Sequence, residues 1–92
     1  MTKAKIKEAY QEWNRTRTRE YFEERDKIFE ELKELNSQYG DGHKWCNATQ
    51  NLRGLIGTEK EDRAFRLYNR YHEIEGAHNS FVEFAIAVDN FQ

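Results

Sequence analysis

Residues 14–22, NRTRTREYF, carry an arginine at every second position: Arg15, Arg17 and Arg19. Alternation with period two is a strand signature, because successive side chains of a strand point to opposite faces. The flanking residues decide against it. Ile6, Tyr10, Trp13, Tyr21, Ile28, Leu32 and Leu35 recur at helical spacing through the same stretch. At about 100° per residue they fall in one arc of a helical wheel. Arg17 lies in the middle of that arc, and Arg15 and Arg19 lie together on the other side. The spacing therefore predicts one long helix near residues 2–36, with Arg17 facing inward and the other two outward.

Beyond this helix the stretch SQYGDGH, residues 37–43, reads as a break, with two glycines around Asp41. Trp45, Ala48, Leu52 and Leu55 then follow in steps of three and four, which predicts a short helix over roughly 43–55. Gly57 ends it. Thr58 and Glu61 have the spacing of a capping box. From there Ala64, Leu67, Tyr71, Ile74, His78, Phe81, Ala85 and Val88 form a heptad-like seam interrupted only by His78. Gly76 costs about 1 kcal/mol inside a helix, and Ser80 with Glu83 offers a second capping box. The seam nevertheless keeps its phase across the glycine, so one helix is expected over about 58–91.

Charge orders the two long helices. Residues 1–19 hold six basic groups against Glu8 and Glu12, and residues 20–35 hold seven acids against three bases. That order opposes the helix dipole. The last helix has the complementary order, with Arg63, Arg66 and Arg70 first and Glu73, Glu75, Glu83 and Asp89 last. An antiparallel hairpin matches the two, placing Trp13 near Phe81, Arg17 near Glu75 or His78, and Ile28 near Arg66. Exposed ion pairs add only about 0–1 kcal/mol each, so their role is to reject wrong registers.

At 92 residues the chain is a single helical domain, residues 1–92, with a thin core. Charged residues make up 35%, proline is absent and the net charge is −2. That balance provides no global field toward nucleic acid or membrane. One cysteine, Cys46, rules out an internal disulfide. With no apolar run resembling a leader or a membrane span, the expected location is cytoplasmic, and the sequon Asn47-Ala48-Thr49 is read as accidental. FVEFAIAV, residues 81–88, is apolar nearly all round. A hairpin covers only one side of such a helix. This predicts a homodimer or higher helical-bundle oligomer with Phe81, Phe84, Ile86 and Val88 at the interface.

Arginine and aromatic residues interleave in both long helices. Rings stack on bases and guanidinium forks hold phosphate. Arg17, Tyr21, Arg25, Arg66, Arg70, Tyr71 and His78 are therefore candidate binding residues for a small anion such as a nucleotide, or for an acidic partner. His78 would be a pH-sensitive contact. The basic groups form no long stripe, so nucleic acid is a poor fit. His43 and Cys46 are three apart, but a structural zinc needs four ligands, so neither a metal nor another cofactor is expected.

One catalytic pattern stands beside this. EELKE at 30–34, followed by EKED at 59–62, resembles the EExxE…ExxD signature of the MazG-like all-α nucleoside triphosphate pyrophosphohydrolases. The resemblance implies a magnesium site at Glu30, Glu31, Glu34, Glu59 and Asp62. It covers only these five positions, and Glu59 and Asp62 stand in a first turn, where the dipole already favours acids. The preferred reading is a small non-enzymatic binding protein acting by stoichiometric occupancy or sequestration. In style it resembles phage-encoded inhibitors that bind a host protein. The pyrophosphohydrolase is the alternative.

Overall fold

The computed structural model describes residues 2–90. Three helices follow one another: α1 (Lys3–Tyr39), α2 (Ala48–Leu55) and α3 (Glu61–Asp89). Among the described residues there is no strand. The Thr2 hydroxyl opens α1 by accepting from the Lys5 N–H at 3.3 Å. α1 runs on to Tyr39, past the expected end at 36. α3 crosses Gly76 without a break, so the Ser80–Glu83 spacing marks no new start. The expected continuation of the last helix to residue 91 lies outside the described residues.

α1 and α3 form the antiparallel hairpin in the expected register. Trp13 meets Phe81 edge-on with ring centroids 5.0 Å apart, and Arg63 Nε donates to Glu31 Oε2 at 2.7 Å. Arg70 Nε reaches Glu24 Oε1, also at 2.7 Å. The acidic half of α1 is thus zipped to the basic half of α3.

The middle helix begins at Ala48, later than the spacing predicted. Asn47 is its N-cap, with its side-chain oxygen accepting from the Gln50 N–H at 2.8 Å, so the asparagine of the sequon has a structural role. Residues 43–47 are loop. The last helix begins at Glu61, also later than predicted. The Thr58 hydroxyl accepts from the Lys60 N–H at 3.2 Å, and Glu61 Oε1 reaches back to the Gly57 N–H at 3.3 Å. The expected capping contacts are therefore displaced by a residue.

α2 buries Ala48, Asn51, Leu52 and Leu55, one face of its two turns. Ala48, Leu52 and Leu55 join Ile28, Leu32, Ala64, Leu67 and Ile74 in one core. The molecule is a rod of 57 × 19 × 16 Å, and α2 thickens only the end where the connections lie. The other end, where α1 begins and α3 finishes, is two helices alone. Among the described residues no helix is long and apolar enough to cross a membrane.

Candidate functional site

Three places are candidates for a functional surface: a braced loop, a groove along the hairpin, and the open end.

The loop, residues 40–47, has no regular secondary structure and every residue in it is exposed, yet it is held throughout. Two fully buried asparagines, Asn36 and Asn51, lie beneath it. Asn36 Oδ1 accepts from the Asp41 N–H at 3.1 Å, and Asn36 Nδ2 donates to Asn51 Oδ1 at 3.3 Å. Asn51 Oδ1 also accepts from the Trp45 N–H at 3.0 Å, while its Nδ2 donates to the carbonyls of Trp45 and Asn47 at 3.0 and 2.9 Å. A buried amide is costly unless bonded, and Asn51 meets that condition with two bonds donated and two accepted.

Two glycines make the approach possible. A Cβ on either Gly40 or Gly54 would fall 2.1 Å from Asn36 Oδ1. Above this base Asp41 organises the loop's outer surface. Its carboxylate accepts from the Trp45 indole N–H at 2.7 Å and from the His43 backbone N–H at 3.0 Å. Chiefly through the indole bond, the Asp41 carboxyl is held below its ordinary value, with His43 and Asn36 acting in the same direction and partial burial opposing them. Lys44 pairs with Glu34 on α1. The imidazole of His43 and the indole of Trp45 lie 5.1 Å apart. The result is an exposed, pre-shaped display of His43, Lys44 and Trp45, next to the free thiol of Cys46.

The groove gathers four of the seven expected binding residues. Arg17, Tyr21, Arg70 and His78 line a channel of about 200 Å³ with Glu20, Glu24, Glu73 and Phe81. His78 stacks flat on Tyr21, centroids 3.9 Å apart, which accounts for a histidine in the seam. Arg17 does not point into the core as expected. It lines the groove with His78, the neighbour expected from the register, but is exposed at the rim, and among the described residues no ion pair joins it to Glu75 or another acid. Two helices alone do not cover a guanidinium well enough to take it from water, and a charge left incompletely paired stays hydrated. Arg70 is paired twice, to Glu24 and to Glu73. The groove thus holds three carboxylates against two guanidinium groups, a balance that does not favour an anion.

The other three binding candidates lie elsewhere. Arg25 sits over the Phe22 ring at 5.0 Å. The Tyr71 hydroxyl is pushed above its ordinary value by burial and then by Glu75. Neither residue lines the groove, and Arg66 is exposed outside it.

The five carboxylates of the EExxE…ExxD pattern do not converge. Glu30 pairs with Lys33, Glu31 takes both prongs of the Arg63 fork, and Glu34 pairs with Lys44. Among the described residues no three His, Cys, Asp or Glu side chains are grouped so as to hold a metal, His43 and Cys46 included.

At the open end Tyr10 meets Phe84 edge-on at 6.1 Å. Phe84 and Ile86 are nevertheless 55% and 57% exposed, with Ile6 at 55% and Trp13 at 46%. Phe81 and Val88 are half-buried.

The loop was the part that sequence reading missed. Its signals were the two glycines around Asp41 and the spacing of Asn36, Asn47 and Asn51, but nothing in a sequence marks an asparagine as buried. No protein-family model, no curated protein and no solved structure matches the chain.

Proposed function

We propose that the protein is a non-enzymatic binding module that acts by stoichiometric occupancy of a partner protein, with the braced loop Gly40–Asn47 as its contact surface. One observation carries this reading: both fully buried polar side chains of a small core, Asn36 and Asn51, serve to fix a loop that is itself exposed. A connection between two helices needs no such base. A recognition loop does, because ordering it in advance removes that cost from binding. Trp45 and His43 supply the rigid aromatic area that anchors interfaces, and Lys44 a charged edge. Occupancy of a protein surface also fits the charges better than sequestration of a small anion, since acids outnumber the fixed cations in the groove.

The test is capture from a lysate of the native host, using the wild-type chain and His43→Ala and Lys44→Ala variants of unchanged helicity. The expected result is one partner retained at a fixed molar ratio and lost with the loop variants. Capture indifferent to both substitutions overturns the assignment of the loop. Magnesium-dependent release of pyrophosphate from nucleoside triphosphates overturns the non-enzymatic reading in favour of the pyrophosphohydrolase.

A further inference from the structure

The open end has a second face, opposite α2. At about 100° per residue, Trp13 lies about 140° round α1 from Asn36, which touches α2. On α3, Phe84 lies about 160° from Tyr68, whose hydroxyl meets Thr49 of α2. Ile6 follows Trp13 within about 20°. One flank of the rod therefore carries α2, and the other carries Ile6, Trp13 and Phe84, all about half exposed or more. Ile86 is on the α2 flank and outside this face.

Charge on the same end is unbalanced between the helices. In the α2 half of the rod, ion pairs cross from α1 to α3 at Glu31–Arg63 and Glu24–Arg70. At the open end none crosses among the described residues. Arg15 and Arg19 pair within α1, to Glu12 and Glu23. The first half of α1 is left basic and the last third of α3 acidic.

We infer that this face binds a second copy of the chain, related by a two-fold axis along the rod, so that α1 of each copy lies against α3 of the other. Rotation about the long axis keeps every residue at its own height. The basic half of each α1 therefore meets the acidic end of the partner's α3, and Ile6, Trp13 and Phe84 close on one another. Within one chain, Arg17 and Glu73 already line the same groove; in the dimer each Arg17 gains a second acidic neighbour from the other copy. An axis across the rod that closed the same three residues on one another would have to pass through the open end, and would set the basic half of α1 against its own copy. The contact runs from the open end along the same flank past Arg17; the full 57 Å length and 19 Å width of the rod bound it from above, and that bound exceeds the roughly 800 Å² per partner of an ordinary stable interface. The product is a four-helix bundle with both braced loops at the same end, so one dimer presents two contact surfaces side by side. The dimer does not depend on the function proposed for the loop.

Two measurements on the full chain test it. Light scattering should give twice the 11.1 kDa chain mass at 100 µM, falling to one chain mass in Phe84→Asp while His43→Ala remains dimeric. Because Phe84 is more than half exposed in the single chain, Phe84→Asp should retain helicity; if it does not, Arg17→Glu, a change at an exposed site, takes its place. Spin labels on the single native Cys46 should then report a distance within two widths of the 19 Å section. A monomer at 100 µM, a dimer indifferent to both face variants, or labels separated by about the 57 Å rod length each overturn the inference. Loss of capture by the loop variants with the dimer intact, or the reverse, separates failure of one proposal from failure of the other.

Discussion

The side-chain amide of Asn36 donates to Asn51 Oδ1 at 3.3 Å, and neither residue has any exposed surface. This bond ties α1 to α2, and from each end of it further bonds rise to Asp41 and Trp45. A polar pair inside a small core thereby connects helix packing to the shape of an exposed loop.

Asn51→Ala should be among the more damaging single substitutions in the chain. It leaves the Trp45 N–H, the Trp45 carbonyl and the Asn36 Nδ2 without their partner, while the Asn47 carbonyl keeps the backbone N–H of residue 51. Losing one side of buried hydrogen bonds costs about 1–3 kcal/mol, a large share of the stability of a small domain. Urea denaturation should show that loss, and the loop amides should exchange with solvent faster than the helices. A change below about 0.5 kcal/mol, the range of an ordinary surface substitution, would show that Asn51 does not brace the loop.

Two glycines should respond to alanine in opposite directions. At Gly76 a Cβ meets nothing within 4 Å, so Gly76→Ala should stabilise the α3 interior by about 0.5–1 kcal/mol. At Gly54 a Cβ would fall 2.1 Å from Asn36 Oδ1 and 2.8 Å from Asn36 Cγ. The propensity gain is the same, but the Asn36 amide must leave its place, so Gly54→Ala should destabilise. Thermal melts of the two variants against wild type check the sign of each.

Asp41 makes the loop acid-sensitive in a defined window. Its folded pKa lies below the ordinary 3.8, chiefly because the Trp45 indole bonds to the carboxylate. A depressed carboxyl contributes stability that is fully present above its unfolded pKa and is lost as pH falls through the folded value. Trp45 fluorescence, followed in a Trp13→Phe background, should therefore stay constant from neutral pH down to the ordinary carboxylate range and change only below it. Asp41→Asn, which has no proton to gain there, should remove that transition; a profile unchanged by the substitution would count against Asp41 as its origin.

The fork between Arg63 and Glu31 should matter more to register than to stability. Its side chains are 51% and 40% exposed, and exposed pairs measure about 0.2–1 kcal/mol. A double-mutant cycle with Glu31→Ala and Arg63→Ala should give a coupling of at most about 1 kcal/mol, shrinking as salt is added. A coupling of several kcal/mol would mean that the pair is held much further from water than its exposure indicates.

Pattern along the chain was enough to specify the hairpin. Spacing in steps of three and four fixed which faces meet, and the two opposed charge gradients fixed direction and register, so that Trp13 was expected against Phe81 and is found there. Such patterns are legible because they repeat along a helix and sum over many residues. The exposure of Arg17 was misread because a wheel gives an angle about an axis; it does not show how far two helices alone can cover a charge at that angle. The loop was decided by tertiary structure alone. Asn36 and Gly40 stand at the end of one helix and Asn51 and Gly54 on another, and any one of them would suit a surface position. Only when α2 closes on α1 are two amides sealed from water, and then they must find partners, which the loop backbone and the facing amide provide.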